Sequence, residues 1–285
     1  MNPSPEPTGL RGGEPAREPS GPALIPASGH RLSRRADAAV LLLHGGRADA
    51  PEPPPRLNLP ALRMRPFASA VTRATAHADV LVAHVRYRHR GWNGHHAHPV
   101  ADALRALDEL RAVAGPVPVV LVGHSMGGRA ALRAAEDPQV EGVVALAPWC
   151  PPAEPTAHLR ARAVIALHDE HDRVTRAADT WAYLTRAREA RARVHGVRMP
   201  RGGHAMIGDA GLWHRITAGA VAALLGLAPF PADLAGLAGP AGGRDPNAVA
   251  DPVITGPAPP VRCAGRFPRP AETARWATRR AGRCR

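Results

Sequence analysis

The chain has 285 residues, enough for one or two domains around a substantial core, and 45% of them are hydrophobic. The formal net charge is +13, yet every basic residue is arginine and the excess is spread along the chain, with no basic patch interleaved with aromatics, so no nucleic-acid partner is expected. Three cysteines (Cys150, Cys263 and Cys284) are too few and of the wrong parity for a disulfide framework, and without a run of 18 apolar residues no membrane span is expected.

Residues 1–28 are rich in Pro, Gly and Glu and are expected to form a disordered leader. They lack the apolar stretch of a secretory signal, so the expected compartment is the cytoplasm. One domain is expected over residues 29–227. Within it, short apolar runs suit strands covered on both faces: Ala38–Leu43, Val80–Val85, Val117–Val122, Val140–Leu146 and Ala163–Leu167. Residues 192–199 are less purely apolar and fit an edge strand. Between the runs, Val100, Ala103, Leu104, Leu107, Leu110 and Ala114 recur at helical spacing. The Ala-rich stretch after Ser125 reads as a second helix, stopping before Pro138, and residues 212–227 as a closing helix. The Pro-rich segment from Ala50 to Leu62 reads as a loop able to shape an acyl pocket. Residues 228–285 are again rich in Pro, Gly and Arg, and a largely disordered tail is expected. The alternation predicts an α/β fold: a doubly wound, mostly parallel sheet with helices on both faces. In such sheets ligands bind beyond the carboxyl ends of the strands.

The residues after those strands carry the chemistry. Gly123-His124-Ser125-Met126-Gly127 is a G-x-S-x-G sequence between a strand and a helix. Small neighbours let a serine stand on a tight strand-to-helix turn, and the helix N-terminus below it favours an oxyanion. A serine nucleophile needs a base. Fifteen histidines compete, and His204 is favoured because it follows the last predicted strand on a loop of small residues before the closing helix. The base needs an orienting carboxylate. The loop His168-Asp169-Glu170-His171-Asp172 offers three, with Asp172 preferred by its offset from the strand and Asp169 as the fallback.

The order Ser, Asp, His and the sequences LLLHGG (41–46), GHSMGG (123–128), HDEHDRV (168–174) and GGHAM (202–206) resemble the lidless α/β-hydrolase family that includes dienelactone-hydrolase-like proteins and small esterases. The resemblance implies an oxyanion loop at His44-Gly45-Gly46. The backbone amides of Gly46 and Met126 would then bind the oxyanion, with Arg47 as the alternative to Gly46. It also implies no cofactor and, since about fifteen residues separate Pro148 from Ala163, no cap domain. One departure is Asp169, where the family's acid loop usually carries glycine.

Substrate contacts are expected from Arg47, Trp92 and Trp149. Arg86, Arg88 and Trp92 lie in a segment that either receives an acidic or planar substrate or is a packed loop with Trp92 as a plug. His95, His96 and His98 have loose spacing and no carboxylate or cysteine nearby, so no metal is expected. The expected activity is hydrolysis of a small-molecule carboxylic ester or thioester (EC 3.1.1) through an acyl-enzyme. The alternatives are a peptidase or cofactor-free haloperoxidase using the same triad, or a non-catalytic module acting through its basic tail.

Overall fold

The computed structural model describes residues 21–32 and 36–230. Seven strands form one sheet: β1 (Leu24–Pro26), β2 (Ala38–Leu43), β3 (Val80–Val85), β4 (Val119–His124), β5 (Val140–Leu146), β6 (Ala163–Asp169) and β7 (Arg193–Met199). Their order is β1-β3-β2-β4-β5-β6-β7. All pairs are parallel except β1 with β3, which is antiparallel. Five helices connect or flank them: α1 (Leu59–Ala74), α2 (His98–Ala114), α3 (Met126–Ala134), α4 (Ala177–Glu189) and α5 (Ala210–Leu224).

The central strands are buried along their whole length because helices cover both faces. Side chains alternate between the two layers. Ala39, Leu41 and Leu43 of β2 join the cluster under α2, α3 and α4, whereas Ala38, Val40 and Leu42 join that under α1 and α5. The expected doubly wound sheet is therefore present, and among the described residues no cap domain interrupts it. Residues 147–162, between β5 and β6, hold only a short 3₁₀ turn at Ala157–Leu159.

The chain order reverses at β2, since β3 lies on one side of it and β4 on the other. The crevice at that switch point is where an open α/β sheet binds ligands. The loop carrying Gly45 and Gly46 leaves β2 there, and Ser125 leaves β4 there.

Two expectations are corrected. The leader does not extend to residue 28. Leu24–Pro26 is an edge strand whose Leu24 side chain is buried, and the Glu109 carboxylate accepts the amides of Ala23 and Leu24 at 2.8 Å each. A three-residue strand is too short to stand out against a Pro/Gly-rich average. The Pro-rich loop also ends earlier than expected. α1 begins at Leu59, with Pro60 in the first turn, where a missing amide costs nothing. Its Met64, Phe67, Ala68 and Val71 form the buried stripe. The rest of the expected leader, and the tail beyond residue 230, lie outside the described residues. None of the described helices is long and apolar enough to cross a membrane.

Trp213 of α5 is fully buried, and its indole Nε1–H donates to the Arg201 carbonyl at 2.7 Å, tying the helix to the loop after β7. Trp213→Ala is expected to cost about 3–5 kcal/mol of unfolding free energy, read as a lower urea midpoint at unchanged slope.

Candidate active site

β4 delivers Ser125 onto a turn with φ 54° and ψ −119°, a left-handed backbone that is strained for a residue with a side chain. The turn is held on both sides. The Ser125 amide donates to the Leu146 carbonyl at 3.0 Å, and its own carbonyl accepts the amides of Arg129 and Trp149 at 3.1 Å each. Glycine is required at 127, because a Cβ there would strike the carbonyl oxygens of Leu43 and His44.

The structure brings Ser125, His204 and Asp172 into one hydrogen-bonded chain. Ser125 Oγ lies 2.9 Å from His204 Nε2, and His204 Nδ1 lies 2.8 Å from Asp172 Oδ2. With the imidazole proton on Nδ1, the ring donates to the carboxylate and its Nε2 accepts from the hydroxyl.

The Asp172 carboxylate collects further donors. Oδ1 accepts the amides of Val174 (2.7 Å) and Thr175 (3.1 Å), and Oδ2 accepts the Thr175 hydroxyl (2.9 Å) and His168 Nε2 (3.2 Å). His168 is fully buried; its Nε2 faces only acceptors, the Asp172 carboxylate and the Thr175 carbonyl, and so carries the proton, while Nδ1 accepts the Thr180 hydroxyl at 2.8 Å. Burial pushes the Asp172 carboxyl up, but the hydrogen bonds from His168, His204 and the Val174 amide outweigh it and hold the group well below the usual carboxylate range.

Asp169, the fallback acid, does a different job. Its Oδ1 accepts the His171 amide at 2.9 Å, and its Oδ2 accepts the Gly203 amide at 2.7 Å, fastening the loop that carries His204. Two more residues hold the same loop. His124 Nε2 donates to the His204 carbonyl at 2.8 Å, and the Arg63 guanidinium donates to the carbonyls of Ala205 and Met206. Burial, with His204 close by, pushes His124 down to about 3, so it is a neutral donor at physiological pH. Thr175, His124 and Arg63 were not expected from the sequence. Thr175 and His124 lie within three residues of a motif residue, whereas Arg63 carries no local signal.

Gly46 packs against the Met126 side chain and the Arg90 carbonyl, which a Cβ at 46 would strike. The Arg47 amide donates to the Arg90 carbonyl at 3.2 Å, so the alternative oxyanion donor is already engaged. The Arg47 side chain is exposed. Trp149, after β5, is half-buried, and its amide donates to the Ser125 carbonyl. Of the two readings of Trp92, its burial favours the packed loop, since it is only 3% exposed. The Arg129 guanidinium stacks 3.8 Å from the Trp92 ring centroid and 4.5 Å from that of Trp149, and it pairs with the buried Glu154. Arg88 likewise serves packing, through its ion pair with the fully buried Asp102 at 2.7 Å.

His89, His96 and His98 stack on one another, with centroid separations of 3.9 Å (His89–His98) and 5.1 Å (His96–His98). Among the described residues no group of three or more His, Cys, Asp or Glu is arranged to hold a metal ion. Cys150 is buried, and burial next to Glu154 pushes its thiol far up, away from the reactive thiolate.

A family model described as "Serine aminopeptidase, S33" matches residues 86–195, the stretch that carries Ser125 and Asp172. Among solved structures the chain is similar to MGS-M1, an α/β hydrolase enzyme from a Medee basin deep-sea metagenome library, at 16% identity, with 68% of this chain and 87% of that one covered and a TM-score of 0.52. It is also similar to the protein of unknown function ATU1826 from Agrobacterium tumefaciens, at 15% identity, with 67% and 84% covered and a TM-score of 0.50. The chain has the α/β-hydrolase fold. No curated protein matches it. In this α/β-hydrolase fold, Ser125 follows the strand next to the switch point, and Asp172 and His204 follow the two strands at the far edge.

The depressed Asp172 carboxyl links acid stability to this site. A group whose folded pKa lies below its unfolded value stabilises the fold above the unfolded pKa, about 3.9, and loses that contribution as pH falls toward the folded value. The stability gap between wild type and Asp172→Asn is therefore expected to be wide at pH 7 and to narrow below about pH 4, as measured by urea unfolding at both pH values.

Proposed function

We propose that the protein is a serine hydrolase of the lidless, dienelactone-hydrolase-like kind that cleaves a carboxylic ester or thioester. The observation that carries this reading is the unbroken chain from Asp172 through His204 to Ser125, at 2.8 and 2.9 Å, on a strained strand-to-helix turn. The folded segment around the site serves as one catalytic domain.

His204 Nε2 takes the proton from Ser125 as Oγ attacks the carbonyl carbon. The carbonyl oxygen becomes an oxyanion received by the Met126 amide, at the first turn of α3, and by the Gly46 amide. Asp172 keeps the His204 proton on Nδ1 and stabilises the imidazolium that forms. The tetrahedral centre collapses, the leaving alkoxide or thiolate takes the proton from His204 Nε2, and an acyl-Ser125 ester remains. Water, deprotonated by His204, attacks that ester, and the second tetrahedral centre collapses to the acid as Ser125 Oγ leaves and takes the proton back from His204. Because residues 147–162 build no cap, the site suits small and medium esters approaching from solvent. Trp149, whose amide donates to the Ser125 carbonyl, and the exposed Arg47 are the substrate contacts in this reading.

A second reading, a peptidase using the same triad, is favoured by one observation, the match to a family described as serine aminopeptidase. Parallel assays with 4-nitrophenyl butyrate and an aminoacyl-4-nitroanilide separate the two. The ester is expected to turn over at least about tenfold faster, and the reverse order would select the peptidase reading. Ser125→Ala is expected to lower ester kcat by about three orders of magnitude or more. Activity surviving that substitution would remove Ser125 from the mechanism.

A further inference from the structure

On α3, just beyond the nucleophile, Arg129 and Arg133 share a single buried acid. The Glu154 side chain is fully shielded from solvent. Its Oε2 accepts Arg129 Nε at 2.5 Å, and its Oε1 accepts Arg133 Nε. Arg186 of α4 adds a third guanidinium, which donates to the Glu154 carbonyl at 3.2 Å. A buried ion pair adds little net stability, because the cost of desolvating the charges offsets their attraction. What this pair holds in place therefore matters more than what it adds to stability.

The Arg129 guanidinium fills the corner between two indoles. It lies 3.8 Å from the Trp92 ring centroid and 4.5 Å from that of Trp149, and the two rings meet at 76° with centroids 6.0 Å apart. Each of these three residues is also tied to the site through its backbone. The Arg129 and Trp149 amides both donate to the Ser125 carbonyl at 3.1 Å, and the Trp92 amide donates to the Arg47 carbonyl at 2.9 Å. On the same loop, Gly46 and the Arg47 amide rest on the carbonyl of Arg90, two residues before Trp92. One side chain therefore links the loop after β2 to the turn after β4.

We propose that Arg129, anchored by Glu154, is a positioning residue that sets the spacing between the two halves of the oxyanion site, the Gly46 amide on one loop and the Met126 amide on the other. The effect on catalysis rests on the hydrolase reading, and the clamp itself rests on the packing alone. Arg129 acts through the backbones of Ser125, Trp149 and Trp92, so its effect falls on the transition state. An amide shifted away from the developing oxyanion stabilises it less, while contacts made equally in the ground state are unchanged. Lysine does not substitute for it, because an ammonium keeps the charge but lacks a flat face for the indoles and a fork for the carboxylate.

The test combines kinetics with amide hydrogen exchange on Arg129→Met and Arg129→Lys. Arg133 still pairs with Glu154 in both, so the buried carboxylate keeps a partner. If the methionine variant does not fold, the lysine variant decides. For 4-nitrophenyl butyrate, kcat is expected to fall about tenfold or more in both variants, with KM within about twofold of wild type. Exchange read by mass spectrometry is expected to quicken in peptides covering residues 46–50, 90–93 and 147–150, and to stay unchanged in α5. Arg111→Met, which breaks an ion pair between α2 and Asp137 ahead of β5, is expected to alter neither kcat nor exchange in those peptides. An unchanged kcat in a folded Arg129 variant, a loss of kcat/KM carried wholly by KM, or unchanged exchange in those peptides would overturn the proposal. If the wild type hydrolyses no ester while exchange still quickens in the Arg129 variants, the hydrolase reading fails and the clamp stands.

Discussion

A carboxylate enclosed by donors is the interaction on which the rest of the site depends. Asp172 accepts two backbone amides, a threonine hydroxyl and two imidazoles, and its side chain is fully shielded from solvent. A buried charge with fewer partners would protonate, and a neutral acid would no longer hold His204 in one tautomer. The donors come from a short stretch of chain. The loop after β6 folds back so that the amides of residues 174 and 175 and the Thr175 hydroxyl point at the carboxylate, while His168 reaches it from the strand itself. The fixed carboxylate then fixes the imidazole, and the imidazole meets the serine.

The sheet's topology makes this meeting possible. Ser125, the Gly45-Gly46 loop and the Asp172 loop all leave strands at the same end of a parallel sheet, so short loops suffice. His204 sits on the loop after the edge strand β7 and needs more support, which it receives from Asp169, His124 and Arg63. His204 is thus pinned to the loop after β6, to the turn at Ser125 and to α1. This explains how a loop of small residues, with no helix or strand of its own, presents a ring nitrogen within 2.9 Å of a hydroxyl.

Much of this was legible in the sequence because the signals were local. Strands buried on both faces read as continuous apolar runs, and Ala38–Leu43, Val80–Val85, Val140–Leu146 and the start of β6 at Ala163 fall where those runs predict. The G-x-S-x-G turn has a steric reason for each glycine, so Ser125 could be singled out before any contact was known. What was missed was non-local or diluted. Leu24–Pro26 is held by a glutamate 85 residues away. The start of α1 was hidden by its own prolines. In the sequence Trp92 stands between a substrate contact and a packed plug, because the segment alone does not show the Arg129 guanidinium that packs over its face. The support given by Arg63 to the His204 loop spans more than 140 residues and leaves no trace in either segment alone.

The central claim is that Ser125, activated by His204, attacks the substrate. The most direct measurement is to treat the protein with a fluorophosphonate, which esterifies activated serines, and to locate the adduct by peptide mass spectrometry. The account predicts a single adduct on Ser125 whose formation slows by orders of magnitude in His204→Ala. An adduct on another residue, or none on a protein shown to be folded, would contradict it.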